Sequence, residues 1–163
     1  MRTCVNRVIL IVDDDPDDFF LARLAFKRSG QETEEREFQL VSDGEELMDY
    51  LYRRGRFASL ENTPLPCLIL LDLNMPGKDG REALREMKQV RDFRQIPIVV
   101  FTTSGEQEDI VYGYDMGASS YISKPAEFDA LVEIMTCIGQ YWLNVVKLPT
   151  LSDSNAQANE TIS

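Results

Sequence analysis

The chain of 163 residues contains no histidine. That absence removes Ser-His-Asp and Cys-His nucleophile systems, imidazole metal sites and any phosphohistidine formed on the chain itself. Cysteine is scarce as well. Cys4, Cys67 and Cys137 are odd in number, lie far apart and form no CxxC pair. They support neither a zinc site nor a redox motif, and idle thiols in a reducing compartment are expected. Long apolar runs are missing too: the longest, at 67–71 and 96–101, fall far short of the about 20 residues that span a bilayer. The opening MRTC has no signal-peptide core behind it. Basic residues are few, 17 Lys and Arg against 28 Asp and Glu, for a formal charge of −11. Such a surface repels phosphate backbones and anionic lipids, so neither nucleic acid nor a membrane is an expected partner. These absences point to a soluble, cytoplasmic protein.

What is present is a regular alternation of strand and helix patterns. The length suits one domain with a core large enough to dispense with disulfides. Residues 8–12 (VILIV) are an apolar run ending in acids, as in a strand buried on both faces. Asp15 then caps a helix with Pro16 at its first position, and Gly30 stops it. Residues 37–41 alternate as a strand, and Ser42 or Asp43 caps a second helix to about residue 54, with Glu45 and Glu46 placed for a capping box. A loop at 55–66 leads to a strand at 67–72 (CLILLD) and turn chemistry at 74–80. The helix that follows runs to about residue 90 on Ala83, Leu84, Met87 and Val90. A strand at 96–101, a short helix at 105–115, a short strand at 120–122 and a long helix at 127–146 complete the set. The domain is taken as 6–148, with a disordered polar tail at 149–163. The pattern predicts an α/β fold: a parallel sheet covered on both faces, with its ligand site beyond the carboxyl ends of the central strands.

At those strand ends stand Asp13, Asp14 and Asp15, then Asp72, then Thr102, Thr103 and Ser104, then Lys124 and Pro125. Singly, each has an ordinary explanation. Asp15, Asp17 and Asp18 complement a helix N-terminus, and the others serve turns. Together they make a cluster of carboxylates with one hydroxyl and one ammonium. Crowded carboxylates repel one another, and oxygen donors of this kind suit Mg²⁺ and phosphate chemistry. A lysine ammonium can neutralise one phosphoryl oxygen while a threonine hydroxyl donates to another. The constellation reads as phosphoryl transfer onto an aspartate.

The segments VILIVDDDPDD (8–18), LILLDLNMPGKDG (68–80), PIVVFTTSG (97–105) and GASSYISKP (117–125) resemble the receiver domain of two-component response regulators. The resemblance implies a flavodoxin-like, doubly wound, five-stranded parallel sheet of order 2-1-3-4-5 with five helices. It implies that Asp72 is the phosphoacceptor. Asp13 and Asp14 would be the acidic pair for Mg²⁺, with Asp14, Asp72 and the backbone carbonyl of Asn74 as direct ligands. Thr102 and Lys124 would contact the phosphoryl group, Tyr121 would be an aromatic switch coupled to Thr102, and the Lys124–Pro125 bond would be cis. Thr103 departs from the usual smaller residue, and Asn74 and Ser104 occupy positions that tune dephosphorylation in the family. DLNMPGKDGRE, MDYLYRRGRF and YWLNVVKLP look like the small single-domain regulators of cyanobacterial phytochromes, which implies a light-sensing sensor histidine kinase as donor.

The expected protein is thus a phosphoacceptor rather than an enzyme, with self-catalysed transfer and slow autodephosphorylation. Output would pass by contact with an unknown downstream protein. The last helix carries one apolar stripe (Phe128, Leu131, Met135, Ile138, Trp142, Val145) and a second (Ala130, Ile134, Cys137, Tyr141). A helix apolar around so much of its surface suggests a homodimer through the fourth helix, fifth strand and fifth helix of this reading. The alternative is a receiver-fold docking module that works without phosphorylation. An aspartate-nucleophile phosphatase is disfavoured because residue 74 is Asn rather than a second acid. A flavin carrier is disfavoured by three acids after the first strand.

Overall fold

A computed structural model of the chain describes residues 7–75 and 80–149. The turn residues 76–79 and the expected tail from residue 150 lie outside the described residues. The five expected strands form as β1 (Arg7–Val12), β2 (Arg36–Val41), β3 (Leu68–Leu71), β4 (Ile98–Thr102) and β5 (Ser120–Ser123). All pair in parallel in the order β2-β1-β3-β4-β5. Side chains of a strand alternate between faces, so the continuous apolar runs feed two cores at once. Leu10, Val12, Ile69, Leu71, Ile98 and Val100 face one way. Ile9, Ile11, Leu68, Leu70, Val99 and Phe101 face the other.

Helices cover both faces. On the second face lie α1 (Pro16–Arg28), through Ala22, Ala25 and Phe26, and α6 (Phe128–Gln140), through Met135 and Ile138. On the first lie α2 (Gly44–Tyr52), α3 (Gly80–Gln89) and the single turn α4 (Arg91–Arg94). α5 (Gln107–Asp115) runs beside β5, and only its Gly113 is fully buried. Among the described residues there are therefore six α-helices rather than five. Val90 leaves the helical region (φ −104°, ψ 123°), the chain restarts, and α4 drives Phe93 into the core before β4. Among the described residues no helix is long and apolar enough to cross a membrane.

The expected caps form. The Asp15 side chain accepts from the Asp17 backbone N–H at 2.9 Å. Asp43 accepts from the Glu46 N–H at 2.7 Å, and the Glu46 carboxylate reaches back to the N–H of Ser42 at 3.0 Å, one residue further out than the capping box places it. After α2, Arg53 adopts a left-handed conformation (φ 59°) uncommon for a residue with a side chain. Its guanidinium bonds the carbonyls of Tyr50, Thr63 and Pro64 and lies over the Tyr50 ring. This clamp returns the long 55–66 loop, with its 3₁₀ segment Gly55–Leu60, to the body of the domain. Cys67 and Cys137 are free thiols, and burial pushes Cys67 up to about 11, so it stays protonated at neutral pH.

The last helix departs from its expected register. At Tyr141–Val145 it widens into a π turn, whose hydrogen bonds span one more residue than those of an α-helix. That rotation puts Leu143 into the core and leaves Val145 69% exposed, although the α-helical stripe placed Val145 inside. The substitution Leu143→Ala is expected to cost roughly 2–5 kcal/mol of stability. Val145→Ala is expected to stay within about 0.5 kcal/mol. Denaturant unfolding of the two variants checks this, and the reverse ranking would mean an unbroken α-helix.

Candidate functional site

The ladder hydrogen bonds carry past the strand ends and hold the next residues in place. The N–H of Asp13 bonds the Val41 carbonyl and that of Asp72 bonds the Val12 carbonyl, both at 3.0 Å, while the N–H of Lys124 bonds the Thr102 carbonyl at 2.7 Å. Asp13, Asp72 and Thr102 are buried as a result. Burying such groups is costly unless they are paired, and here they are. The Thr102 hydroxyl donates to Asp72 Oδ1 at 2.7 Å, and the backbone N–H of Asn74 donates to the same oxygen at 3.0 Å. Lys124 Nζ donates to Asp72 Oδ2 at 3.2 Å, to Asp13 Oδ2 at 2.6 Å and to Asp18 Oδ2 at 2.8 Å. The Asp15 N–H donates to Asp13 Oδ1 at 2.9 Å. The Asn74 side-chain amide donates to the Thr102 hydroxyl at 3.4 Å.

The charges do not balance within this group. Burial raises the pKa of Asp13, and the bonds from Lys124 and the Asp15 N–H offset that only in part. Burial alone would lower the pKa of Lys124. The bonds to Asp13 and Asp18 and the charges of Asp72 and Asp13 overturn this and push it above its ordinary value. Lys124 is therefore a fixed positive charge at neutral pH, and it is one cation against several carboxylates. Carboxylate oxygens of Asp13, Asp14 and Asp72 lie within 4.8 Å of one another. Asp14 is exposed and the other two are buried, so the trio opens to solvent on one side. Oxygen donors in negative excess with an open side suit a hard divalent cation that keeps some of its water. The residues present fit such an ion.

Tyr121 sits further along the edge. Its hydroxyl donates to the Ser104 carbonyl at 2.9 Å, and its ring lies against Gly113 of α5. The Ser104 hydroxyl donates to Asp109 Oδ2 at 2.6 Å, and Arg81 Nη2 donates to Asp109 Oδ1 at 2.7 Å. The bond from Ser104 and then that from Arg81 hold the Asp109 carboxyl below its ordinary pKa. Arg81 Nη1 also reaches the Leu73 carbonyl at 3.3 Å, which ties α5 to the segment after Asp72. Thr103 is exposed at the rim. One expectation is corrected: the described residues contain no cis peptide bond, so Lys124–Pro125 is trans. That is the lower-energy form of an X–Pro bond, and from it Lys124 reaches all three carboxylates.

Sequence reasoning brought Asp13, Asp14, Asp72, Asn74, Thr102, Tyr121 and Lys124 to this edge. It left Asp18 as a first-turn acid, because nothing local links it to a lysine 106 positions away. It also missed the Arg81–Asp109 pair and the tight approach of Gly80. A Cβ on Gly80 would lie 2.3 Å from the Asp72 carbonyl oxygen and 2.9 Å from Leu73 Cα. Both are backbone atoms, so nothing flexible can yield. The variant Gly80→Ala is expected to lose about 1–3 kcal/mol of stability, measured by thermal or denaturant unfolding; a loss below about 0.5 kcal/mol would show that α3 is not held against the end of β3.

Comparison with known proteins agrees with this geometry. Residues 9–136 match the response regulator receiver domain. Response regulator Rcp1 of Synechocystis sp. is 39% identical over 143 residues, covering 88% of this chain and 93% of that protein. A crystal structure of the Mn²⁺-bound form of Rcp1 is similar with a TM-score of 0.77 at 38% identity, over 88% of this chain and 99% of that one. The phosphorylated cyanobacterial phytochrome response regulator RcpA is similar with a TM-score of 0.80 at 39% identity, over 89% of this chain and 99% of that one. The matched segment runs through all five strands, and the chain belongs to the family of response regulator receiver domains.

Proposed function

We propose that this chain accepts a phosphoryl group on Asp72 from a sensor histidine kinase of the phytochrome type and signals by protein–protein contact in the cytoplasm. The observation that carries the reading is the setting of Asp72. It is a buried carboxylate with a hydroxyl donor on one oxygen and an ammonium on the other, beside two further acids. The similarity to Rcp1 and to the phytochrome regulator RcpA supports the choice of donor. The donor imidazole must come from another protein, because this chain has no histidine.

A carboxylate oxygen of Asp72 attacks the phosphorus of the donor's phosphohistidine. The P–N bond breaks, and the imidazole leaves with the bonding pair and takes up a proton. An acyl phosphate remains on Asp72. Lys124 and Thr102 stand where they stabilise charge on the transferred oxygens, so the protein contributes positioning and electrostatics. Mg²⁺, held by Asp13, Asp14 and Asp72 with the Asn74 carbonyl, would supply the remaining positive charge when bound. In the acyl phosphate, the Thr102 hydroxyl turns from Asp72 to a phosphoryl oxygen, and Tyr121 follows. This biases the α5-β5-α6 face between two arrangements. Val111 and Tyr114 of α5 are 48% and 50% exposed, which supports this face as the contact for a homodimer or a downstream protein. Slow attack by water on the acyl phosphate restores the carboxylate, so the chain acts as an acceptor rather than a turnover enzyme.

Incubation with Mg²⁺ and a small acyl-phosphate donor is expected to give a retarded band on a phosphate-affinity gel. The band should be absent for Asp72→Asn and without Mg²⁺, and Lys124→Met should slow its appearance by on the order of 10²-fold. A folded protein that shows no band and binds no beryllofluoride would leave a docking module. A phytochrome-type kinase, labelled on histidine, is expected to pass its phosphoryl group to this chain faster than kinases of other sensory classes; equal rates would remove the phytochrome assignment.

A further inference from the structure

Lys124 reaches a third carboxylate, Asp18, which the reaction above does not use. An ammonium has three N–H donors and no more. All three are committed: to Asp13 at 2.6 Å, to Asp18 at 2.8 Å and to Asp72 at 3.2 Å. The lysine side chain is only 9% exposed, which leaves little room for it to swing to a new partner while keeping the old ones. An oxyanion arriving beside Asp72 can receive a bond from Lys124 only if one of these contacts gives way.

The three carboxylates are not equally able to yield. Asp13 is 4% exposed, so water cannot take the place of the lysine there. Asp72 is the group that receives the oxyanion. Asp18 lies in the first turn of α1 and its side chain is 37% exposed, so water can replace the lysine at modest cost. We propose that Asp18 is a positioning residue that holds Lys124 in reserve, competes with the incoming anion for it and so sets how tightly the site takes a phosphoryl group. The inference rests on the phosphoacceptor reading of Asp72 and adds a restraint to it. In this arrangement Asp18 occupies the N–H that a phosphoryl oxygen will take. Its displacement into solvent accompanies occupancy of the site.

The probe is beryllofluoride, an anionic stand-in for the phosphoryl group, titrated by ¹⁹F NMR at Mg²⁺ concentrations shown to saturate each variant. Asp18→Asn and Asp18→Ala are expected to bind it roughly 3- to 10-fold more tightly than the wild-type chain. Asp18→Glu, which keeps the charge and the reach, is expected to restore affinity close to wild type. Asp17 supplies the control, since it is an exposed acid of the same helical turn and Lys124 does not bond it; Asp17→Asn should move the affinity by less than 2-fold. Unchanged or weaker binding by both Asp18→Asn and Asp18→Ala would overturn the proposal, because Asp18 would then not compete for Lys124. An equal gain from Asp17→Asn would overturn it too, by showing a general effect of charge at the helix start. Failure of the wild-type chain to bind beryllofluoride would defeat the phosphoacceptor reading and this inference together, whereas wild-type binding with unaltered Asp18 variants would defeat the inference alone.

Discussion

One largely buried ammonium holds the end of this sheet together. The carboxyl ends of β1 and β3 bring aspartates into a space where their mutual repulsion would be strong and poorly screened. Lys124, at the end of β5, bonds both of them and a third acid on α1. The contacts join positions 111, 106 and 52 residues apart in the chain. Removing the cation would leave buried carboxylates uncompensated, and that is more damaging than replacing a whole ion pair with apolar groups. The same arrangement that endangers stability makes the site able to act. A cluster that keeps an excess of negative charge after its own lysine is counted has use for a metal ion.

That electrostatic arrangement is available because the rest of the fold is so conventionally apolar. Each central strand contributes alternate residues to two separate cores, and both cores are closed by helices. Among the described residues the buried polar groups, Asp13, Asp72 and Thr102, stand at the one place where parallel strands end together. Gly80 shows how tightly that place is built, since α3 begins in contact with the backbone at Asp72 and Leu73. Asp72 is thus held by the sheet through its backbone N–H, faced by the start of α3, and bonded through its side chain by Lys124 and Thr102.

Much of this was legible in the residues alone, and the reasons are local. Continuous runs such as VILIV and CLILL announce buried strands, and Asp15-Pro16 announces a helix start. A strand's last residue fixes where its following acid must stand, so Asp13, Asp14 and Asp72 could be placed without coordinates. What escaped was either a contact between distant segments or a small change of helical register. Asp18 has a sufficient local role as a first-turn acid, which concealed its bond to Lys124. Arg81 and Asp109 look like ordinary surface charges until α3 and α5 are set side by side. α4 and the π turn each alter the phase of an apolar pattern by a residue or so, below what spacing alone resolves. The trans Lys124–Pro125 bond was beyond local reading too, since the cis form was expected only from family resemblance.

The attachment of α5 carries a consequence for where work can be done in this molecule. The other long helices sink several large side chains into a core, whereas α5 buries fully only a glycine and is held by bonds such as Arg81–Asp109 and Arg85–Tyr112. Few apolar contacts mean a low free energy of local opening. A hydrogen bond contributes a net of roughly 0.5–1.5 kcal/mol, so exchanging one or two is enough to redraw this surface. Neither hydrophobic core need be disturbed. The domain is therefore mechanically uneven: the sheet is closed in by two packed cores, and α5 is a lightly tethered helix at its edge.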